Sequence, residues 1–266
     1  QTWNQSLAYE LGQCMGQEYK EANNYGWYGP AMNTHRSAFA GRNFEYYSED
    51  GVLAGRIAAN QVNGAAEHGV YAYIKHFALN DQEINRTSML MTFSSEQAIR
   101  EIYLKPFEIA VKGFEGTSQA VMSSFNWIGT VPSCANSNLL NNVLRDEWGF
   151  VGMVETDYDG SYGYMITDHS IRNGNDLMLG FGSAESNLLE DHSATAVKAM
   201  RQACKNILYT IGNSGYYTVD EDPAGIMTNM TKIFLTVDVI VALVLLGVEA
   251  IVILRYLKKK KAVSAE

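Results

Sequence analysis

The chain has 266 residues, 47% of them hydrophobic, and a formal net charge of -9. That length suits a single barrel of about 250 residues, and the acidic balance excludes a nucleic-acid surface, because phosphate binding needs a basic face and none occurs before the extreme C-terminus. An uncharged substrate fits better, and the scattered Cys14, Cys134 and Cys204 make neither a disulfide framework nor a zinc site and read as core or half-buried thiols.

The chain opens on Gln1-Thr2-Trp3-Asn4, with neither an initiator Met nor a signal peptide, and is expected to start partway through a domain. Leu7, Leu11, Met15 and Tyr19 fall four apart, which predicts an amphipathic helix over 4–23 with those residues on its buried face. A short strand is expected over Tyr25–Met32, followed by a polar loop rich in aromatics and paired charges as far as Asp50. Loops of that composition are often binding surfaces. Val52–Glu67 reads as a second helix and Val70–Phe77 as a strand. Ser94 with Gln97 suggests a capping box for a helix over 95–112 that Pro106 kinks or divides. A strand over Ala120–Phe125, a helix over Asn138–Trp148, a short strand over Asp176–Leu179 and a helix over Ala194–Ile211 complete the soluble part. Strands alternating with helices at this spacing imply parallel βαβ units. The expected fold is α/β, an incomplete (β/α)8 TIM-like barrel over 1–215 lacking its first strand or strands.

After Gly215 the character changes. Residues 216–231 read as a linker, and 232–257 as a transmembrane helix around the apolar run Ile233–Leu254. Asp238 and Glu249 interrupt the run toward its ends, where snorkelling relieves their cost. The basic tail over 258–266, with Arg255 and Lys258 to Lys261, puts the C-terminus in the cytoplasm by the positive-inside rule and the preceding domain outside the cell membrane.

The stretch that carries chemistry is Gly149-Phe150-Val151-Gly152-Met153-Val154-Glu155-Thr156-Asp157-Tyr158-Asp159-Gly160, a short apolar strand ending in three acids within five positions. Burying an unpaired carboxylate is costly, so acids there are either solvated turn residues or held for chemistry. Residues at the C-terminal ends of parallel barrel strands share one rim, which lets Arg42, Lys75, His76, Phe125 and Asp157 line one pocket. Sugars call for charged hydrogen-bonding partners at their edges and aromatic faces against their apolar side. Arg42, Lys75 and His76 supply the first, and Tyr158, Trp127 and Tyr46 the second. There is no metal site and no nucleotide loop, so no cofactor is expected.

The pattern Gly-Phe-x-Gly-x-Val-x-x-Asp-Tyr resembles the nucleophile strand of family 3 glycoside hydrolases, with Thr156 for the usual serine and Tyr158 for the usual tryptophan. Four further segments are similar to that family over residues 3–182: Asn33 to Asp50, Lys75-His76-Phe77 with Asn80, Gln82, Glu83 and Arg86, Met122 to Asn126, and Gly174 to Met178. The resemblance implies a retaining exo-β-glycosidase acting on β-linked oligosaccharides or glycosides, foremost a β-glucosidase, with Asp157 as nucleophile kept at low pKa by nearby cations. It implies Arg42, Lys75, His76, Phe125 and Tyr158 against the sugar, and non-proline cis peptides that let neighbouring Lys75 and His76 both reach it. A retaining mechanism needs a second carboxyl as acid/base. In the family it comes from a further α/β domain or a loop beyond the barrel, which is expected upstream in a permuted parent chain. Locally, Glu83 reads as an ion-pair partner of Arg86, Glu155 is expected to point away from the side Asp157 faces, and Asp159 stays open. Ala78-Leu79-Asn80 after Phe77 disfavours the family's β-N-acetylglucosaminidase branch, and Phe125 stands where a tyrosine is usual. Two alternatives remain, a non-catalytic or vestigial sugar-binding fragment and a β-xylosidase.

Overall fold

The computed structural model describes residues 2–113, 119–159, 162–180, 187–218 and 229–263. They fall into two compact units, Gln1–Asp220 and Glu221–Glu266. In the first, helix α1 spans Gln5–Glu21, strand β1 Gly26–Trp27, helix α2 Gly51–Ala66 and strand β2 Tyr71–Phe77. Strand β3 (Met91–Thr92) and the turn α3 (Glu96–Ala98) lead through a π-wound turn, Ile99–Tyr103, into α4 (Lys105–Lys112). Strands β4 (Ala120–Ser123), β5 (Trp127–Ile128) and β6 (Val131–Pro132) precede a π-wound helix, Asn138–Glu147, and strand β7 (Met153–Glu155). Helices α5 (Thr167–Arg172) and α6 (Ala194–Gly212) follow.

Strands β1, β2, β4 and β7 form one parallel sheet in that order, each joined to the next through a helix, so the fold is α/β with a parallel sheet. Consecutive strand residues take opposite faces. Ala72, Ile74, Val121 and Val154 pack outward against Ala58 and Val62 of α2, Phe107 of α4 and Leu140 and Leu144 of the π-wound helix. In register one position away, Tyr73, Ala120 and Met153 lie side by side, and with Met122 they make a second cluster on the inner face. Asp50 starts α2 by accepting from Val52 N–H at 2.8 Å and Leu53 N–H at 3.2 Å, and Ser193 caps α6 in the same way.

One charged knot fixes β7. Arg145 donates from Nη1 to Gly152 O at 2.9 Å and from Nη2 to Asp176 Oδ2 at 2.7 Å and Gly174 O at 3.2 Å. Asp176 also accepts from Val154 N–H at 2.8 Å and from Asn206 Nδ2 of α6 at 2.8 Å. Below it, Thr210 Oγ1 of α6 accepts from Met153 N–H at 2.9 Å and donates to Gln119 O at 3.3 Å.

Several sequence expectations are corrected. The strand expected over Tyr25–Met32 pairs only at Gly26–Trp27 and again at Ala31, because Gly29 and the cis Pro30 interrupt it and Pro30 has no N–H to give. The helix over 95–112 is capped by Ser95, not Ser94, and changes pitch ahead of Pro106, which enters the first turn of α4, where it displaces no internal hydrogen bond. Asp176–Leu179 makes only an isolated bridge to Glu155 at Leu177, with Asp176 N–H also donating to Val154 O at 2.7 Å, and does not extend into a strand. The small sheet β3-β5-β6 and helix α5 had too few residues for their periodicity to show. Cys134 is buried, whereas Cys14 and Cys204 are exposed.

Helix α1 does not bury the expected Leu7 and Leu11, which are 50% and 53% exposed. Its buried side is Ala8, Gly12 and Gly16, seated directly on α2. A Cβ on Gly12 would stand 2.0 Å from Gln61 O, and one on Gly64 2.2 Å from Tyr9 O. Two helix backbones touch there, and only glycine permits it.

In the second unit, α7 (Asn229–Val263) is one helix that takes in the end of the expected linker and the start of the expected basic tail. Gly215–Thr218 is a short helical turn, and residues 219–228 and 264–266 of those two segments lie outside the described residues. Within α7, Lys232–Arg255 has 24 residues of mean hydropathy 2.8, long and apolar enough to cross a membrane.

Gly64→Ala should destabilise the first unit by about 1–3 kcal/mol, because α1 must be pushed off α2. Gly212→Ala, whose Cβ meets nothing within 4 Å, should be neutral or mildly stabilising by helix propensity. Urea unfolding followed by circular dichroism checks both, and equal effects would contradict the close backbone contact.

Candidate active site

Strands β2, β4 and β7 end on one rim, and the residues just beyond their C-terminal ends meet there. Asp157, two residues past β7, is 7% exposed. Its Oδ1 accepts from Tyr158 N–H at 2.7 Å, whereas Oδ2 has no hydrogen-bond partner among the described residues. The nearest basic atom is His76 Nε2, 3.7 Å from Oδ2. That approach is not an ion pair. Burial, with Arg42, Lys75 and Arg86 adding to it, holds His76 well below the usual imidazole range, so the ring is neutral at neutral pH.

His76 is placed by its own backbone. Its N–H donates to Asn33 Oδ1 at 2.8 Å, and Asn33 Nδ2 donates to His76 O at 2.9 Å, which locks the end of β2 to the loop after β1. The peptide bonds Lys75–His76 and Phe77–Ala78 are cis. Lys75, half-buried, has its pKa lowered, by burial first, with Glu45 opposing and Arg42 assisting.

Two arginines complete the basic side. Arg42 pairs through Nε with Glu45, and its Nη1 lies 3.9 Å from Glu83 Oε1. Glu83 Oε2 also forms an ion pair with Arg86 Nε at 3.0 Å, so one carboxylate lies between both guanidinium groups. Arg86 lies 4.3 Å above the ring of the buried Phe125. Arg86, Arg42 and Lys75 all favour the ionised form of Asp157, yet burial outweighs them and its pKa is raised, not lowered as expected from the cations alone. The sequence showed the charges but not the depth at which they act.

Tyr158 stands at the rim, 37% exposed. Tyr46, read as a sugar-facing ring, is instead 2% exposed, its hydroxyl donating to Asn80 O at 3.1 Å. Trp127 packs at 6.0 Å on Tyr164, whose hydroxyl donates to Phe125 O at 3.0 Å, and Tyr162 meets Phe125 edge-on at 5.8 Å. Tyr162, Tyr164 and the pocket role of Arg86 were missed. Arg86 lies in the same segment as Lys75 and His76, and that proximity was the available signal.

Each of the three other local carboxyls has a partner. Glu83 spans the arginines, Asp159 accepts from Asn187 Nδ2 at 2.8 Å, and Glu155 accepts from Tyr28 OH at 3.3 Å. Glu155 does not point away from the side of Asp157: two residues apart, the side chains share the inner face, and the charge of Asp157 acts on Glu155. Among the described residues no group of three or more His, Cys, Asp or Glu is placed to hold a metal ion.

This arrangement has known relatives. The Glycosyl hydrolase family 3 N terminal domain matches residues 1–203. Beta-glucosidase A of Butyrivibrio fibrisolvens is 45% identical over 197 residues, which make up 74% of this chain and 23% of that protein. A beta-glucosidase of Rhizobium radiobacter is 42% identical over 176 residues, 66% of this chain and 21% of the relative. Beta-glucosidase 3B from Thermotoga neapolitana, solved in complex with glucose, superposes with a TM-score of 0.74 at 35% identity over 86% of this chain and 33% of its own. The chain thus spans less than a quarter of these curated relatives and a third of that solved chain. With the match covering three strand ends and both arginine loops, the chain belongs to glycosyl hydrolase family 3, through that family's N-terminal domain.

Proposed function

We propose that this chain is the nucleophile-bearing part of a retaining exo-β-glycosidase, a β-glucosidase that removes terminal β-D-glucosyl residues. The observation that carries the reading is Asp157 Oδ2, buried at the rim beside three cationic side chains and without a hydrogen-bond partner among the described residues. A carboxylate whose one oxygen is held by the Tyr158 N–H keeps the other for an anomeric carbon. Attack expels the aglycone and leaves a glycosyl ester on Asp157, which water then hydrolyses. Arg42, Lys75 and His76 bind the sugar hydroxyls, with Arg86 added to them, and Phe125 and Tyr158 face the ring. Relatives that share up to 45% identity carry the name beta-glucosidase, which favours glucose over xylose.

In the same reading, residues 1–215 are an incomplete (β/α)8 barrel, 216–231 a linker, 232–257 a membrane span and 258–266 a basic tail. The span's length and hydropathy support a single crossing, and the positive-inside rule places the catalytic unit outside and the tail in the cytoplasm. The acid/base comes from an α/β domain elsewhere in the parent protein, because the local carboxyls are already bonded. That same engagement favours a second reading, a sugar-binding fragment without catalysis.

In the full-length gene product, Asp157→Ala should lower turnover of an aryl β-glucoside by about four orders of magnitude, and added azide should restore release of an activated aglycone as its phenolate, the glucosyl group being captured as the α-glucosyl azide. Wild-type-like turnover would rule out the nucleophile, and glucose binding by calorimetry without hydrolysis in the unaltered protein would support the second reading.

The acid limb of kcat/KM reports the nucleophile of the free enzyme. With burial raising Asp157 and Arg86 opposing, the limb should lie above the ordinary aspartate value, and Arg86→Met should move it to still higher pH. Arg86→Lys keeps the charge and should move it less.

Alkaline carbonate should leave the full-length protein in the membrane pellet, whereas deletion of 229–266 should release it to the supernatant. Release of the unaltered protein would refute the span.

A further inference from the structure

The inner face of the sheet carries a carboxyl that the proposed reaction does not use. Glu155 ends β7 and is 2% exposed, with Met122 of β4 in register on one side and Leu177 bridged on the other. It has sheet neighbours on both flanks and no edge of its own. Its Oε1 accepts from Tyr28 OH at 3.3 Å, and its Oε2 has no hydrogen-bond partner among the described residues. The ring of Tyr28 meets that of Tyr73 at 4.8 Å, and Tyr73 meets Tyr71 at 5.5 Å, so the carboxyl sits against a tyrosine wall.

The titratable groups facing Glu155 are Tyr28 from the loop after β1, Tyr71 and Tyr73 from β2, and Asp157 beyond its own strand. From β4 and from the bridged segment it meets Met122 and Leu177. None of these is a cation. Asp157, two residues on, is acted on by three. One face therefore holds two carboxyls in opposite surroundings, which pushes their titrations apart. Burial pushes Glu155 up to about 7, Tyr28 pulls it down, and the charge of Asp157 raises it.

The last of these influences disappears during the reaction. Once Asp157 carries a glycosyl group it is a neutral ester, and its repulsion no longer adds to the burial that chiefly keeps Glu155 protonated. We propose that Glu155 is a positioning residue that takes over the negative charge of the inner face when Asp157 is esterified, giving up its proton in the glycosylation step. The proposal rests on Asp157 being the nucleophile. The balance is simple: the Asp157 carboxylate forms the C–O bond, the aglycone leaves with the electron pair, and the Glu155 carboxyl becomes carboxylate plus a proton to water. Tyr28, hydrogen-bonded to Glu155 and 46% exposed, links it to solvent. The new charge then remains beneath the cationic sugar that forms again when water attacks.

A dinitrophenyl fluoro-β-glucoside tests this in the full-length gene product. Its aglycone departs as dinitrophenolate and needs no proton, while the fluorine halts the reaction at the ester. Two signals are followed together in weak buffer just below pH 7, dinitrophenolate absorbance and an indicator of free protons. In the unaltered protein each burst of dinitrophenolate should be accompanied by a fraction of a proton, and in Glu155→Gln the burst should remain while the proton is lost. Tyr28→Phe removes the donor that favours ionised Glu155, so proton release at the same pH should shrink. It decides the matter if Glu155→Gln fails to fold. A burst with equal proton release in unaltered protein and variants would overturn the role of Glu155, whereas absence of any burst would instead overturn Asp157 as nucleophile.

Discussion

The constraint on which the rest depends is the tie between Arg145 and Asp176. A strand of three residues cannot hold the side chain that follows it steady by its own ladder, and β7 is that short. Asp176, its side chain 3% exposed, receives the guanidinium, the Val154 N–H and the Asn206 amide, so the π-wound helix, β7 and α6 are joined at one carboxylate. Arg145 returns two further bonds to Gly152 O and Gly174 O, on either side of the strand. Burial raises the Asp176 carboxyl to about 6 against the pull of Arg145, which marks how much of the pair's attraction goes to offsetting desolvation. The pair defines where β7 ends more than it adds net stability. Two residues later the chain delivers Asp157.

At the rim the opposition is between depth and charge. Asp157 is buried enough that burial decides the direction of its titration, yet three cations work the other way. A shallower carboxylate would be ionised more easily and would stay solvated. A deeper one without Arg42, Lys75 and Arg86 would be protonated and inert. Glu83 makes the compromise possible by holding both arginines in place without contacting Asp157 itself. His76, neutral, adds a hydrogen-bonding edge and no charge, so the basic side of the pocket comes from Arg42 and Arg86 on loops and from Lys75 beside His76 on β2.

What could be read from the chain follows the range of the interactions involved. Helices α2 and α6 announced themselves by composition and apolar pattern, and the structure adds the caps Asp50 and Ser193, which act within three residues. The positions of Lys75, His76, Phe125 and Asp157 came from short ordered motifs and the common rim of parallel strands. Burial could not be read in the same way. Leu7 and Leu11 have the right spacing for a buried seam, but contact between α1 and α2 is set by Gly12 and Gly64, whose missing side chains let carbonyl oxygens in. Tyr46 reads as a surface ring beside charged residues and lies in the core, because Asn80 offers a partner to its hydroxyl. The direction of Glu155 was misjudged although a period of two already places it with Asp157.

The inner face also explains why chemistry collects at one end of the sheet. Toward the N-terminal ends of the strands that face is filled by Tyr73, Ala120, Met122 and Met153, and the Thr210 hydroxyl satisfies the Met153 N–H and the Gln119 carbonyl beneath them. Polar groups are affordable there only when each has such a partner. Toward the C-terminal ends the filling changes within one residue pair, from Met153 to Glu155, and buried polar atoms without hydrogen-bond partners among the described residues begin: Glu155 Oε2, Asp157 Oδ2, His76 Nδ1 and Arg86 Nη1. Unpaired groups of both signs in one small volume are destabilising for the chain alone. In the proposed reading a sugar ring, with donors and acceptors around its whole edge, meets these atoms, so stability given up at the rim is recovered on binding.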